Sequence, residues 1–109
     1  MNIRVMNEIV MGEGQVELVR KFEKHNTIRP GIRVVDLDAK EFWLTEQSDS
    51  ISVKVKSVRY TALKNIHVDE QKRNGPPVFS SLLEDLQHYY GKSITKDSVV
   101  TVIEFGPED

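Results

Sequence analysis

The stretch Ile51 to Tyr60, ISVKVKSVRY, decides the fold. Ile51, Val53 and Val55 alternate with Ser52, Lys54 and Lys56, the period-two pattern of a strand with one buried face. Val58 and Tyr60 continue the apolar set only if the register shifts by one residue near Ser57. A β-bulge does this: it inserts one extra residue, bends the strand and lets the sheet curl. The expected architecture is therefore a curled sheet rather than a flat one.

Before this strand, NIRVM (2–6) alternates and predicts an opening strand, broken by Gly12 and Gly14. In QVELVRKFEK (15–24), Val16, Leu18, Val19 and Phe22 share one stripe, with Arg20, Lys21 and Lys24 away from it, which predicts a short amphipathic helix ending near Lys24. Pro30-Gly31 marks a turn, and IRVVDLD (32–38) and EFWLTE (41–46) read as two strands joined tightly through DAK (38–40). After the bulged strand, TALKNI (61–66) reads as a turn of helix capped by Thr61. HVDEQKRNGPP (67–77) is polar, is broken by Gly75, Pro76 and Pro77, and reads as a loop. Phe79, Leu82, Leu83, Leu86 and Tyr90 follow helical spacing, with Ser81 and Glu84 in capping-box relation and Gly91 at the end. SVVTVIEF (98–105) reads as a buried strand. Strands dominate and connections are short, so the class is α+β: a curled mixed or antiparallel sheet, a small barrel of about five to six strands flanked by two main helices.

At 109 residues, without a long linker or an internal repeat, residues 1–109 are expected to form one domain with one core. The absence of cysteine removes disulfides, thiol nucleophiles and Cys-based zinc sites. Arg4 and Glu8 interrupt the N-terminal MNIRVMNEIVMGEGQ well short of a signal peptide or membrane span, so a soluble cytoplasmic protein without a membrane partner is expected. A net charge of -2 gives no overall attraction for nucleic acid, yet Arg20, Lys21, Lys24, Arg29 and Arg33 fall close together with Glu23 as the one acid among them. Such a region suits a small anionic or nucleotide ligand, or simply a solvated face.

Residue by residue, KHNTIRPG (24–31) carries the chemistry. A threonine hydroxyl needs an adjacent base to act as a nucleophile, and an amine becomes one when burial or a nearby cation lowers its pKa. Lys24 and Thr27 are three apart and would face opposite ways on one flat strand, so they converge only if the chain bends at His25-Asn26 after a last helical turn containing Lys24. Thr27 and Arg29, two apart, share a strand face. His25, His67 and His88 show no ligand spacing, and no metal or other cofactor is expected. Asp36 and Asp38 share a face but read as solvated. Among Trp43, Tyr60, Tyr89 and Tyr90, Trp43 is the stacking candidate if it is exposed beside the basic region, whereas Tyr89 and Tyr90 read as core caps at a helix end. Lys54 and Lys56 fit phosphate contacts or a soluble sheet edge.

The order of these strings resembles the ASCH domain family, whose fold is a PUA-like β-barrel flanked by helices, and within it the small bacterial amidohydrolases that deacetylate N4-acetylcytidine. The likeness rests on Lys24, Thr27 and Arg29 in a K-x-x-T-x-R string, Gly31 in RPGIRVV, the helix SSLLEDLQHYYG, and the ending VIEF at Val102 to Phe105. It spans nearly the whole chain. This sequence departs from the family in having Phe22 where a Gly usually precedes the Lys by two, His25 in place of a second Thr, no loop before the turn glycine, and Ile32 in place of an acid. The resemblance implies a hydrolase acting on an acylated nucleoside, with catalytic Lys24, Thr27 and Glu70 (Asp69 the rival acid); Arg29 and Arg33 of the basic region, with Trp43 for stacking, are the expected substrate-binding residues. The alternatives are a non-catalytic module of the same fold that binds single-stranded RNA, and a protein-interaction domain.

Overall fold

The computed structural model describes residues 5–39, 41–75 and 79–107. Among them, five strands form one curled half-barrel sheet: β1 (Glu8–Val10), β2 (Asn26–Pro30), β3 (Phe42–Glu46), β4 (Asp49–Ala62) and β5 (Val99–Pro107). Their order is β1-β3-β4-β5-β2. β1 runs parallel to β3 and the other pairs are antiparallel, so the sheet is mixed. Three α-helices accompany it: α1 (Gln15–Arg20), α2 (Val68–Arg73) and α3 (Leu82–Tyr90). The class is α+β.

The bulge lies where the alternation breaks. Val55 pairs with Phe105 and Ser57 with Glu104, leaving Lys56 as the extra residue on β4. The slip returns Val58 to the face of Val53 and Val55, where it pairs with Ile103 and packs on the core. Without it Val58 would point to the opposite side. β5 is covered on both faces. Ile103 and Phe105 join Val16 and Val19 of α1, Phe42, Leu44 and Val53 in one core, while Val100 and Val102 join Ile28, Leu63, Leu82, Leu86 and Ile94 in the other. A strand buried on both sides has to be almost uniformly apolar, as SVVTVIEF is.

Several expectations are corrected. α1 ends at Arg20, and Phe22, with φ of 62°, is 60% exposed instead of completing the stripe. Phe22 N donates to Val19 O and Glu23 N to Leu18 O, the paired bonds of a Schellman motif, so the chain reverses at Phe22 rather than at His25-Asn26. IRVVDLD forms no strand; it makes a single parallel bridge, Met6 to Val35, and an Asp36 carboxylate turn onto Asp38 N. β3 forms its hairpin with β4 instead. The opening strand expected over 2–6 lies partly outside the described residues, and β1 starts at Glu8. Thr61 lies in β4, which runs to Ala62, and only a 3-10 turn, Leu63–Asn65, follows.

HVDEQKRN, read as a loop, contains α2. No residue of α2 is buried, so it leaves no apolar period to find. It is held at its ends instead. His67 accepts from Asp69 N, Glu70 accepts from His67 N, and the carbonyl end is bound by the segment leading into β2: His25 N donates to Arg73 O at 2.6 Å and Asn26 Nδ2 to Glu70 O at 2.9 Å. Pro76 and Pro77, expected to break the chain here, lie outside the described residues. The second main helix is found as expected, with Ser81 Oγ accepting from Glu84 N and Gly91 at the C-terminal end of α3. None of the helices described is long and apolar enough to cross a membrane.

Candidate functional site

β1 and β2 are the two edges of the sheet. A cavity of about 550 Å³ opens between them, with Val10, Met11 and Gly12 on one side, Thr27, Ile28 and Arg29 on the other, and α3 supplying Leu82, Asp85, Leu86, Tyr89 and Tyr90. Lys24, Asn74, Glu13 and Gln15 complete the lining. Its size lies in the range of small-molecule sites.

Lys24 enters because the Schellman turn at Phe22 folds the chain back before β2 begins. Its side chain is 5% exposed, and Nζ donates to both Asn74 O and Asn74 Oδ1 at 2.6 Å. Burial, and secondly the positive charge of Arg29, lowers its pKa to about 7 from the ordinary 10.5. Near neutral pH the amine is therefore unprotonated in a large fraction of molecules, which is the state a base requires.

Thr27 is also buried, 3% exposed. Its Oγ1 accepts from Arg29 Nε at 3.0 Å, a contact available because residues two apart on β2 share a face. Arg29 also donates to Tyr90 Oη at 2.8 Å and approaches Met11 Sδ at 3.2 Å, so its guanidinium spans the gap from β2 to α3 and to the segment after β1. The amine, the hydroxyl and the guanidinium of KHNTIRPG thus border one cavity, brought there by a bend at Phe22 rather than by a helical Lys24.

The other residues singled out in the sequence lie elsewhere. Glu70 does not line the cavity: it pairs with Arg59 and caps α2, and Asp69 is exposed beside His67. Arg33 donates from its backbone to Thr101 Oγ1 and from Nε to Pro30 O, away from the lining. Trp43, half-buried on β3 and donating to Glu41, is likewise not at the cavity. The basic run is dispersed, with Arg20 paired to Asp49 and Glu17 while Lys24 turns inward.

Sequence reading missed Asn74 and Asp85 and assigned Tyr89 and Tyr90 to the core. The two tyrosines are 60% and 41% exposed and edge the cavity. Asp85 stands in the first turn of α3, where it accepts from Phe79 N at 2.7 Å and borders the cavity. A capping box reading of His67 with Glu70 would have placed α2 and, at its end, Asn74. Among the described residues no three His, Cys, Asp or Glu side chains are grouped to hold a metal ion.

The fold and the cavity together define a small α+β half-barrel protein with a buried amine and alcohol at the gap between its edge strands. The chain matches no protein-family model and no curated protein. It is similar in structure to a solved protein described as hypothetical protein PH0355, with a TM-score of 0.62 and 22% identity, covering 96% of this chain and 100% of the other. That likeness concerns the fold, and the small curled sheet is consistent with a PUA-like architecture.

Proposed function

We propose that the protein is an ASCH-type amidohydrolase that removes an acyl group from a modified nucleoside such as N4-acetylcytidine. The observation that carries this reading is the buried Lys24 amine, with a pKa lowered to about 7, bordering the same cavity as the Thr27 hydroxyl. In this mechanism Lys24 accepts the Thr27 proton as Oγ1 attacks the acyl carbon. Arg29, already donating to Oγ1, stabilises negative charge developing on that oxygen and beside it. The C–N bond then breaks, and the Lys24 ammonium returns the proton to the departing amine of the base. Water, deprotonated by the same amine, attacks the acyl-threonine ester; the ester C–O bond breaks, the Lys24 ammonium returns its proton to Thr27 Oγ1, and the carboxylic acid is released. One amine thereby serves both directions of proton transfer, and Glu70, paired with Arg59, is not required in contact with substrate. Tyr89 and Tyr90 offer aromatic surface to the pyrimidine at the rim.

The test is direct: incubation with N4-acetylcytidine should release cytidine and acetate. Unchanged substrate at stoichiometric enzyme would reject the reading. A second reading, a base-binding module of the same fold without turnover, is favoured by one observation: Glu70, the acid that the resemblance implies, pairs with Arg59 and does not line the cavity. Retention on single-stranded RNA at low salt with no cytidine released would select it.

A further inference from the structure

We propose, resting on the hydrolase reading, that Asn74 is a positioning residue for the base: its two oxygens take both N–H donors of the uncharged Lys24 amine and leave the nitrogen lone pair for the cavity and Thr27. An uncharged amine has two N–H groups and one lone pair, whereas the ammonium has three donors and none. Lys24 Nζ lies 2.6 Å from Asn74 O and 2.6 Å from Asn74 Oδ1, so a single residue supplies acceptors for both donors. The remaining tetrahedral position has neither oxygen on it, and Lys24 lines the cavity that Thr27 and Arg29 also border.

Asn74 is itself fixed. Its backbone N–H donates to Glu70 O and Gln71 O at 3.1 Å, and α2 is fastened to the segment before β2 through His25 and Asn26. Its neutrality matters as much as its geometry. A carboxylate in the same place would form an ion pair and retain the proton on Lys24, whereas an amide oxygen accepts a hydrogen bond without contributing a charge. The charged and titratable groups that border this cavity with Lys24 are Arg29 from β2, Asp85, Tyr89 and Tyr90 from α3, and Glu13 from the turn before α1. Asn74→Asp would put a carboxylate at hydrogen-bond distance from the amine, nearly isosterically.

The experiment follows the Lys24 side chain by NMR titration, assigned with Lys24→Met, alongside cytidine release as a function of pH, in the wild type, Asn74→Asp and Asn74→Ala. Asn74→Asp should raise the Lys24 midpoint by about one unit or more and move the rising limb of turnover alkaline by the same interval, a loss of about tenfold at pH 7. Asn74→Ala, which removes one acceptor, should lower the midpoint further and reduce turnover about tenfold on the high-pH plateau, where no change of pH restores it. A Lys24 midpoint unchanged in both variants overturns the assignment, as does full plateau turnover in Asn74→Ala. Should Asn74→Asp fail to fold, the Asn74→Ala titration and plateau decide alone. A wild type that releases no cytidine rejects the hydrolase reading, and the titrations still support or overturn the placing of the amine by Asn74.

Discussion

Thr27 Oγ1 accepts a 3.0 Å hydrogen bond from Arg29 Nε, so the guanidinium touches an aliphatic hydroxyl that borders the same cavity as a buried amine. A cation donating to that oxygen favours the alkoxide over the alcohol, and Arg29 also helps to keep Lys24 unprotonated. Loss of Arg29 therefore acts on both partners. On the proposed hydrolase reading, Arg29→Ala should lower kcat for acyl-nucleoside hydrolysis by about 10²-fold to 10³-fold, as for a lost oxyanion donor. Thr27→Ala should leave no measurable turnover, while Thr27→Ser, which keeps a hydroxyl, should retain a detectable fraction. Steady-state kinetics on N4-acetylcytidine check all three.

The depressed Lys24 pKa makes a paired prediction for activity and stability. Turnover should rise with pH through about 7 as the amine loses its proton. For stability, the folded amine titrates near 7 and the unfolded one near 10.5, so between those values the unfolded chain binds more protons and stability increases with pH. Below about 7 both states are protonated and the cost of the buried charge is present in full. Denaturant unfolding at pH 6 and pH 9.5 should show the wild type gaining stability at the higher pH. Lys24→Met should lose the component of that gain that belongs to this amine.

How much of this is legible in the sequence depends on whether a residue leaves a periodic trace. The alternation in ISVKVKSVRY located the bulge, because a one-residue slip is written directly in which residues are apolar. The unbroken apolar run at Val99 to Phe105 marked a strand covered on both faces, and Leu82 with Leu86 marked α3. α2 left no such trace: none of its residues is buried, and it exists through caps and long-range bonds to His25 and Asn26, about 44 residues away in the case of the Asn26 to Glu70 contact. Because α2 leaves no trace, neither does Asn74, and the acidic loop that singles out Glu70 carries no sign that Glu70 pairs with Arg59 outside the cavity. Lys24, Thr27 and Arg29 could be singled out by residue type, but the bend that unites them depends on a left-handed residue that the sequence writes as Phe22.

α1 has no side-chain cap of its own, since its N-cap is Gly14. The cap comes from β3: Glu46 accepts from Gly14 N at 2.9 Å and from Val16 N at 3.0 Å through its two carboxylate oxygens. A carboxylate against the amides that open a helix replaces both an N-cap and a favourable charge. Glu46→Ala should cost about 1 kcal/mol of unfolding free energy, and Glu46→Gln less, because one amide oxygen remains to accept. Urea denaturation at constant m-value would read the difference; equal midpoints for Glu46→Ala and the wild type would remove the cap from the account.

Phe22 occupies the C′ position of the Schellman motif that ends α1, with φ of 62°. That conformation costs an L-residue about 1–2 kcal/mol because Cβ approaches the following carbonyl, and glycine avoids the cost. The phenylalanine ring recovers little, being 60% exposed. Glycine carries its own cost of roughly 0.5–1 kcal/mol in unfolded-chain entropy, smaller than the strain it relieves. Phe22→Gly should therefore stabilise the fold, by about 0.5–1 kcal/mol or a few degrees in Tm. Phe22→Val, β-branched at a positive φ, should destabilise it. The pair separates two causes, because both substitutions remove the ring and only one relieves the backbone. If thermal melts placed glycine and valine on the same side of the wild type, the turn that delivers Lys24 to the cavity would not be under the strain that its φ describes.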